Sequence, residues 1–518
     1  LDLAAATGKI DLIAETIAAL LSRGLTLEGP ALRRKGGAGP AEGGALTIGG
    51  FAVNAPTAGH YVAGTPYSLR READGSALLL EKGREVCAVA LPSAPAFYQE
   101  VTAQGVPFKK IALLHGNDCL ATTTLQTCRF WSTPWRCRFC GIELSLNSGQ
   151  TIRRKSPRDL AQVAAFARQH DGVRHVVLTT GCAPKGEEVG HLAACARAIK
   201  EASGLPIHGQ CLPMRDAGDM HRLKEAGVDT LGLHIESWDE QVLARMAPPK
   251  AALGKRGFIR AWRRAVEIFG PGQVSSFLIA GLGESQKSLL SGVEEMADLG
   301  VFPFLVPLRP IPGSQMEKAA PPPAAQMIEL YQKAARILAS RGLASGQSMA
   351  GCVRCGACSA LAAFEGPAPG LVCHRARTRA ELEQALAVRR QVFVEEQGMF
   401  AQSDRDCDDP RSIHLVAKLD SEVVGTVRVY PISDTKDHWI GGRLAVAAGQ
   451  RAGGAGEILV RRAMETVKNL GCTKFTASIQ QGNVPFFKRL GWRSLGDIQH
   501  HHGRPHQEMQ ADLDLVRS

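Results

Sequence analysis

Residues 120–141 read LATTTLQTCRFWSTPWRCRFCG, and the rest of the chain is best understood outward from this stretch. Its first part, 121–127, is a short run of small, apolar and β-branched residues, the composition of a strand buried in a sheet. Three cysteines follow: Cys128, then Cys137 after eight intervening residues, then Cys140 after two. Two thiolates separated by two residues can close on one metal centre, and Cys128 reaches it from the end of the strand. Three thiolates would leave one iron of a cubane open to a bidentate small molecule, with Phe139 shielding the cluster from water. Spacing alone leaves two alternatives open. One is zinc, with Cys119 as the fourth ligand, and the other is a thiol redox pair.

Further apolar strand candidates lie at 174–180, 206–212, 229–235, 274–280 and 303–308. Between them run helical patterns such as LAQVAAFARQH at 160–170, LAACARAIKEAS at 192–203 and MHRLKEAGV at 220–228. This alternation predicts an α/β fold with parallel strands and crossover helices. An open doubly wound sheet and a partial (β/α)6 TIM-like barrel both satisfy it, and in both, ligands gather at the strand C-terminal ends. Residues 1–110 read as a lead-in region and 111–345 as the strand–helix domain. The segment 346–373 is cysteine-rich, and 374–518 is a separate α/β unit.

The cysteine-rich segment contains AGCVRCGACSA at 350–360, which places Cys352, Cys355 and Cys358 at two-residue gaps. That spacing is like a bacterial ferredoxin's and fits an auxiliary 4Fe–4S cluster, with Cys373 as a fourth ligand. A zinc knot is the other reading. In the last unit, 439–460 reads WIGGRLAVAAGQRAGGAGEILV: a strand, a glycine-rich turn and a helix start. Residues 451–456 within it match R-x-x-G-x-G. Glycines let backbone N–H groups face a pyrophosphate at the helix N-terminus, although such turns also serve as tight connectors.

A chain of 518 residues with 45% hydrophobic content suits a globular protein of two or three domains. The formal charge of +11 is spread along the chain, and the 5% of aromatic residues are not interleaved with the basic ones. That pattern disfavours a nucleic-acid stacking surface. No run of 18 uncharged apolar residues suggests a membrane span. Fourteen cysteines then read as metal chemistry in a reducing, cytoplasmic compartment rather than a disulfide framework.

The segment from about 110 to 345 resembles the radical S-adenosylmethionine (SAM) superfamily in a branch near biotin synthase. Besides the cysteines, the resemblance is carried by LTTG at 178–181, LGLHIES at 231–237, FLIAGLGE at 277–284 and PLRPIPGS at 307–314. Nearest of all is a little-characterised radical family from bacterial gene clusters that also encode a nitrilase and an acetyltransferase-like protein. The resemblance implies a 4Fe–4S cluster on Cys128, Cys137 and Cys140. It also implies SAM beside Thr180, Gly181, Glu236, Gly281 and Glu284, with Arg309 lining the site. A small-molecule substrate and a flavodoxin- or ferredoxin-type electron donor come with it. The superfamily's usual first gap is three residues, whereas this chain has eight.

The last unit is similar to the GCN5-related N-acetyltransferase (GNAT) family through VRRQVFVEEQ at 388–397, the R-x-x-G-x-G turn and GNVPFFKRLGW at 482–492. This likeness implies acetyl-CoA contacts at Val446, Arg451, Gly453, Gly454, Ala455 and Gly456, with Asn483 nearby. The tyrosine that often serves that family as general acid is replaced here by Phe486 and Phe487. Glu396 and His414, and also His506, are the candidates for its role. The two resemblances together imply a bifunctional enzyme. The same domain order occurs in the Elongator catalytic subunit, which acts on transfer RNA, and a non-catalytic binding module is the further alternative for the last unit.

Overall fold

A computed structural model describes residues 3–27, 43–72, 77–183, 187–214, 216–365, 371–419, 422–432, 437–451 and 454–515. The chain divides into two compact units, one within residues 12–365 and one formed by 366–518 with the first eleven residues.

In the first unit, β1 (Thr26–Leu27) begins a small lead-in layer, followed by the hairpin of β2 (Gly44–Ile48) and β3 (Phe51–Ala55). Strands β4 (Tyr67–Arg71), β5 (Ala77–Glu81) and β6 (Arg84–Val89) complete a four-stranded sheet with β1. The main sheet holds β7 (Leu113–His115), β8 (Cys119–Thr123), β9 (His175–Thr179), β10 (Ile207–Gln210), β11 (Thr230–Gly232), β12 (Val274–Ala280) and β13 (Val301–Pro307). From β8 to β13 each strand pairs in parallel with its sequence neighbour, and β7 caps the edge antiparallel to β8. A doubly wound sheet reverses its strand order at a switch point; this one never does. Unbroken order is the topology of a barrel, here a partial one of six parallel strands. Strands β8 and β13 are buried along their whole length, as expected for strands covered on both faces.

Three of the crossover helices begin on polar caps. Ser156 accepts from the Asp159 N–H, Asp216 from Gly218 and Ser285 from Ser288. The helix Glu188–Ser203 ends on Gly204 in the left-handed conformation that glycine adopts without strain. A further helix, Gly254–Phe269, is rich in arginine on its outer side and buries Phe258 and Trp262, whose indole N–H donates to the Leu233 carbonyl.

The second unit contains β14 (Leu371–Arg375), β15 (Ile413–Leu419), β16 (Glu422–Pro431), β17 (His438–Val446), β18 (Lys474–Gln480), β19 (Trp492–His501) and β20 (Arg504–Ala511). They form one sheet in the order β14-β15-β16-β17-β18-β20-β19. All pairs are antiparallel except β17 with β18, which are parallel and bonded only over His438–Ile440 and Lys474–Thr476. Beyond that point the two strands part, and the sheet opens between them. The first helix, Arg379–Arg390, loosens into a π-type turn over Gln391–Glu396.

Cys373 lies on β14 opposite Ala417 of β15 and packs against the core of this second unit, with burial pushing its thiol up to about 12. It therefore reads as a core thiol rather than as a partner of Cys352, Cys355 and Cys358, which belong to the first unit. Among the described residues, no helix is long and apolar enough to cross a membrane.

Candidate functional site

The loops after β8 and β9 are bound to each other at the C-terminal end of the barrel. Gly181 donates its N–H to Leu125, and Arg129 donates its own to Cys182. A Cβ on Gly181 would stand 1.9 Å from the Thr127 carbonyl oxygen, so only glycine lets the second loop press against the one carrying Cys128. The Cys128 N–H donates to Glu143, and Cys140 closes its turn on the Cys137 carbonyl. Arg136 stacks 3.4 Å over the Trp131 ring and donates to the Cys140 carbonyl.

Cys128, Cys137 and Cys140 thereby line one pocket, together with Cys182, Phe130, Trp131, Arg136, Leu212, Pro249 and Lys250. Shielding comes from Phe130 and Trp131; Phe139, expected to provide it, packs toward the barrel core. A hydrogen bond from Cys182 holds the Cys128 thiol down near 6, whereas burial pushes Cys137 to about 12 and Cys140 to about 11. Buried in this way, Cys137 and Cys140 ionise beside added positive charge, which a bound metal centre supplies. Among the described residues, no three His, Cys, Asp or Glu side chains converge as ligands of a single ion would. A polynuclear cluster instead needs thiolates spread around it, and the residues of this pocket fit one.

Lys250 carries no motif and was not anticipated from sequence. Its ammonium donates to Glu236 at 2.5 Å and to the His234 carbonyl at 2.7 Å. Glu236 is buried, holds a left-handed backbone at φ 77°, and has a second carboxylate oxygen with no partner. A strained non-glycine residue with a spare buried acceptor is a mark of a ligand site.

Two histidines face the barrel interior below it. The His234 Nδ1 accepts the Phe277 N–H, which leaves the proton on an unpartnered Nε2. On His208, Nδ1 faces the Thr230 hydroxyl at 2.7 Å, and that hydroxyl donates to the Ala350 carbonyl. The His208 Nδ1 is therefore the donor, and its unpartnered Nε2 an acceptor.

Other expected residues sit differently. The Glu284 carboxylate accepts from Ser237, the Trp238 N–H and Ser288, so it is a positioning residue that holds the end of β11 rather than a ligand contact. Gly281 serves packing: at φ 102°, its Cβ would lie 3.0 Å from Leu308 and Pro322. The half-buried Thr180 turns its hydroxyl to the Gly181 carbonyl, and Arg309 donates to the Asn54 carbonyl.

In the second unit, the parting of β17 and β18 leaves a cavity between them. Gly441, Arg443, Gln480, Asn483 and His506 are among its lining residues. Gly454, at φ 79°, precedes the helix Ala455–Asn469, which Ala455 and Gly456 begin; Gly453 lies outside the described residues. Arg451 donates to both Glu396 oxygens, at 2.7 and 2.5 Å, and to the Val446 carbonyl. That pairing keeps Glu396 below the usual carboxylate range, which removes it as a proton donor. His414 is buried, with Nε2 against the Asp409 carbonyl, and burial lowers its basicity. Beside it runs an enclosed ion network: Arg389 with Asp404 and Asp409, and Arg428 with Asp406 and Asp409. Of the three candidate acids and bases, His506 is the one on the cavity wall.

Comparison with known proteins agrees with this division. Residues 133–295, which include Cys137 and Cys140 but begin after Cys128, match the sequence model of the radical SAM superfamily. Residues 380–492 match that of the acetyltransferase (GNAT) family. Bacteriochlorophyllide c C-7(1)-hydroxylase of Chlorobaculum limnaeum is 31% identical over 25% of this chain and 33% of its own length. Biotin synthase of Bordetella avium is 25% identical over 38% of this chain and 60% of its own. The chain thus spans between a third and three-fifths of these two relatives. YjcF, an uncharacterized N-acetyltransferase of Bacillus subtilis, is 29% identical over 26% of this chain and 96% of its own. The chain thus joins a segment that matches the radical SAM superfamily to a segment that matches the GNAT acetyltransferase family, both of them families of enzymes.

Proposed function

We propose that the barrel holds a 4Fe–4S cluster on Cys128, Cys137 and Cys140, binds SAM against it, and acts on a small polar molecule in the barrel interior. The observation that carries this reading is the convergence of the three cysteines, Lys250 and Glu236 at the C-terminal ends of the strands. When bound there, the cluster and SAM supply reductive cleavage to a 5′-deoxyadenosyl radical able to abstract unactivated hydrogen.

The chain's own residues supply position and exclusion of water. Gly181 lets the Cys128 loop seat, and Phe130 and Trp131 cover the cysteines. The spare Glu236 oxygen suits a ribose hydroxyl, with Thr180 beside the methionine end, while the Lys250 ammonium holds the other Glu236 oxygen in place. The Nε2 donor of His234 and the Nε2 acceptor of His208 would grip a substrate carrying both kinds of group, such as an amide or alcohol. The compartment would be the reducing cytoplasm, with a flavodoxin- or ferredoxin-type protein as electron donor.

For the second unit, acetyl-CoA would bind at the turn Arg451–Gly456 and enter the cavity beside Asn483. His506, rather than Glu396 or His414, would then move the proton. A binding module without turnover is the second reading, favoured by the Arg451–Glu396 pair at the turn itself. Acetyl-CoA binding that persists in His506→Ala while acyl transfer is lost would support catalysis; binding with no transfer by wild type to a panel of amines would favour the module.

The test of the barrel is anaerobic reconstitution with iron and sulfide, followed by dithionite and SAM. Wild type should release 5′-deoxyadenosine and Cys137→Ala should not. Zinc in place of iron, with no cleavage product, would contradict the proposal.

A further inference from the structure

The N-terminal end of the barrel is crossed by the segment that carries the other three cysteines. The Gly351 N–H donates to His175 Nδ1 of β9, and the Thr230 hydroxyl of β11 donates to the Ala350 carbonyl. The Ser359 hydroxyl donates to the Leu305 carbonyl of β13, and the Asn54 N–H to the Ala357 carbonyl. Gly351 has φ 95°, and a Cβ there would fall 2.4 Å from the His208 ring, so the segment passes only because this residue is glycine. Bonded to strands around the barrel, the segment is an internal element of the first unit.

This course brings residues far apart in sequence around the sulfurs. His115, the last residue of β7, places Nδ1 at 3.3 Å from Cys355 Sγ and Nε2 at 3.5 Å from Cys358 Sγ. Gln210 of β10 donates its amide N–H to Cys352 Sγ at 3.2 Å. Cys119 at the start of β8 packs its thiol against Cys355. The His115 imidazole thus faces two of the three sulfurs, one with each ring nitrogen.

We infer that Cys352, Cys355, Cys358 and His115 hold a second iron–sulfur cluster inside the barrel, at the opposite end from the SAM pocket. Three observations favour a cluster over a structural zinc. The thiolates follow the ferredoxin spacing. They do not converge on one point as ligands of a single ion do. And the Gln210 N–H···S bond is of the kind that tunes cluster potentials. Cys119 then lies outside the ligand set, as a buried neighbour of Cys355, and Cys373 plays no part.

This inference stands apart from the SAM-cleavage proposal and is tested apart from it. The full chain, labelled with 15N-histidine, would be reconstituted without oxygen, assayed for iron, sulfide and zinc, and examined by pulsed electron paramagnetic resonance without SAM. Wild type should hold about eight irons and show a strong histidine nitrogen coupling, whereas Cys137→Ala should keep the coupling with about four irons. The conservative His115→Cys variant should retain the irons, lose the coupling and titrate at a lower potential, because imidazole ligation raises it. One zinc per chain at this site, or no nitrogen coupling in wild type, would overturn the inference. So would loss of half the iron in Cys119→Ser or Cys373→Ser.

Discussion

The two cysteine triads lie at opposite ends of one barrel, and they differ in what surrounds the sulfur. At the C-terminal end, Cys128, Cys137 and Cys140 open on a pocket with aromatic walls and the Lys250 ammonium, whose partner Glu236 keeps a spare oxygen. At the N-terminal end, Cys352, Cys355 and Cys358 are closed in by His115, Gln210 and Cys119. A pair of cysteines two residues apart thus serves at both ends. One leaves room for a small molecule to complete the site, while the other is completed by the chain. The chemistry of a cysteine motif is decided by its neighbours, most of them distant in sequence.

The sharpest way to break this contrast is to remove the charge that marks the open end. Lys250 and Glu236 are both largely buried, so Lys250→Met leaves a carboxylate uncompensated and should cost the first unit about 3–5 kcal/mol. Adding Glu236→Gln should restore most of that stability but not SAM binding. Denaturant unfolding with calorimetric SAM titration checks both. Gly181→Ala should come next: its Cβ would push the Cys128 loop away, lowering 5′-deoxyadenosine formation on the order of a hundredfold. The nitrogen coupling of the far cluster should not change.

Smaller effects belong to the second unit. Burial works to raise Asp409, but hydrogen bonds from Arg389 and Arg428 outweigh it and hold its carboxyl well below the usual range. Because the folded value lies below the unfolded one, this contribution is complete above about pH 4 and is lost as pH falls further. Melting of the second unit between pH 7 and 3 should therefore steepen toward acid, and Asp409→Asn should flatten that slope. Least of all, Glu396→Gln should free Arg451 for a phosphate and tighten acetyl-CoA binding only about twofold, since half-exposed ion pairs are worth about 1 kcal/mol or less. Titration calorimetry would resolve it.

Much of the barrel was legible in the sequence because its strands are short apolar runs between well-patterned helices. The strand at 274–280 has the expected bounds. Barrel versus doubly wound sheet was not legible, since it depends on which strands pair across the chain. In the candidate site, the triad and Glu236 announced themselves by spacing and position. Lys250 did not, because a single lysine after two prolines carries no periodic or motif signal. His115 was hidden for another reason: it meets Cys355 across 240 residues. Cys373 misled because nearness in sequence suggested a shared site, whereas its thiol packs against the core of the second unit. Glu284 had the right place in its motif, but neighbouring donors take up both of its oxygens.

The central claim is that the open triad, and not the closed one, receives SAM. Its most direct test is the electron paramagnetic resonance spectrum of the reduced protein before and after SAM is added. The account predicts that SAM shifts one of two cluster signals, and that Cys137→Ala removes that signal while the other stays unchanged. A SAM-induced shift that survives in Cys137→Ala, or one abolished instead by Cys355→Ser, would contradict it.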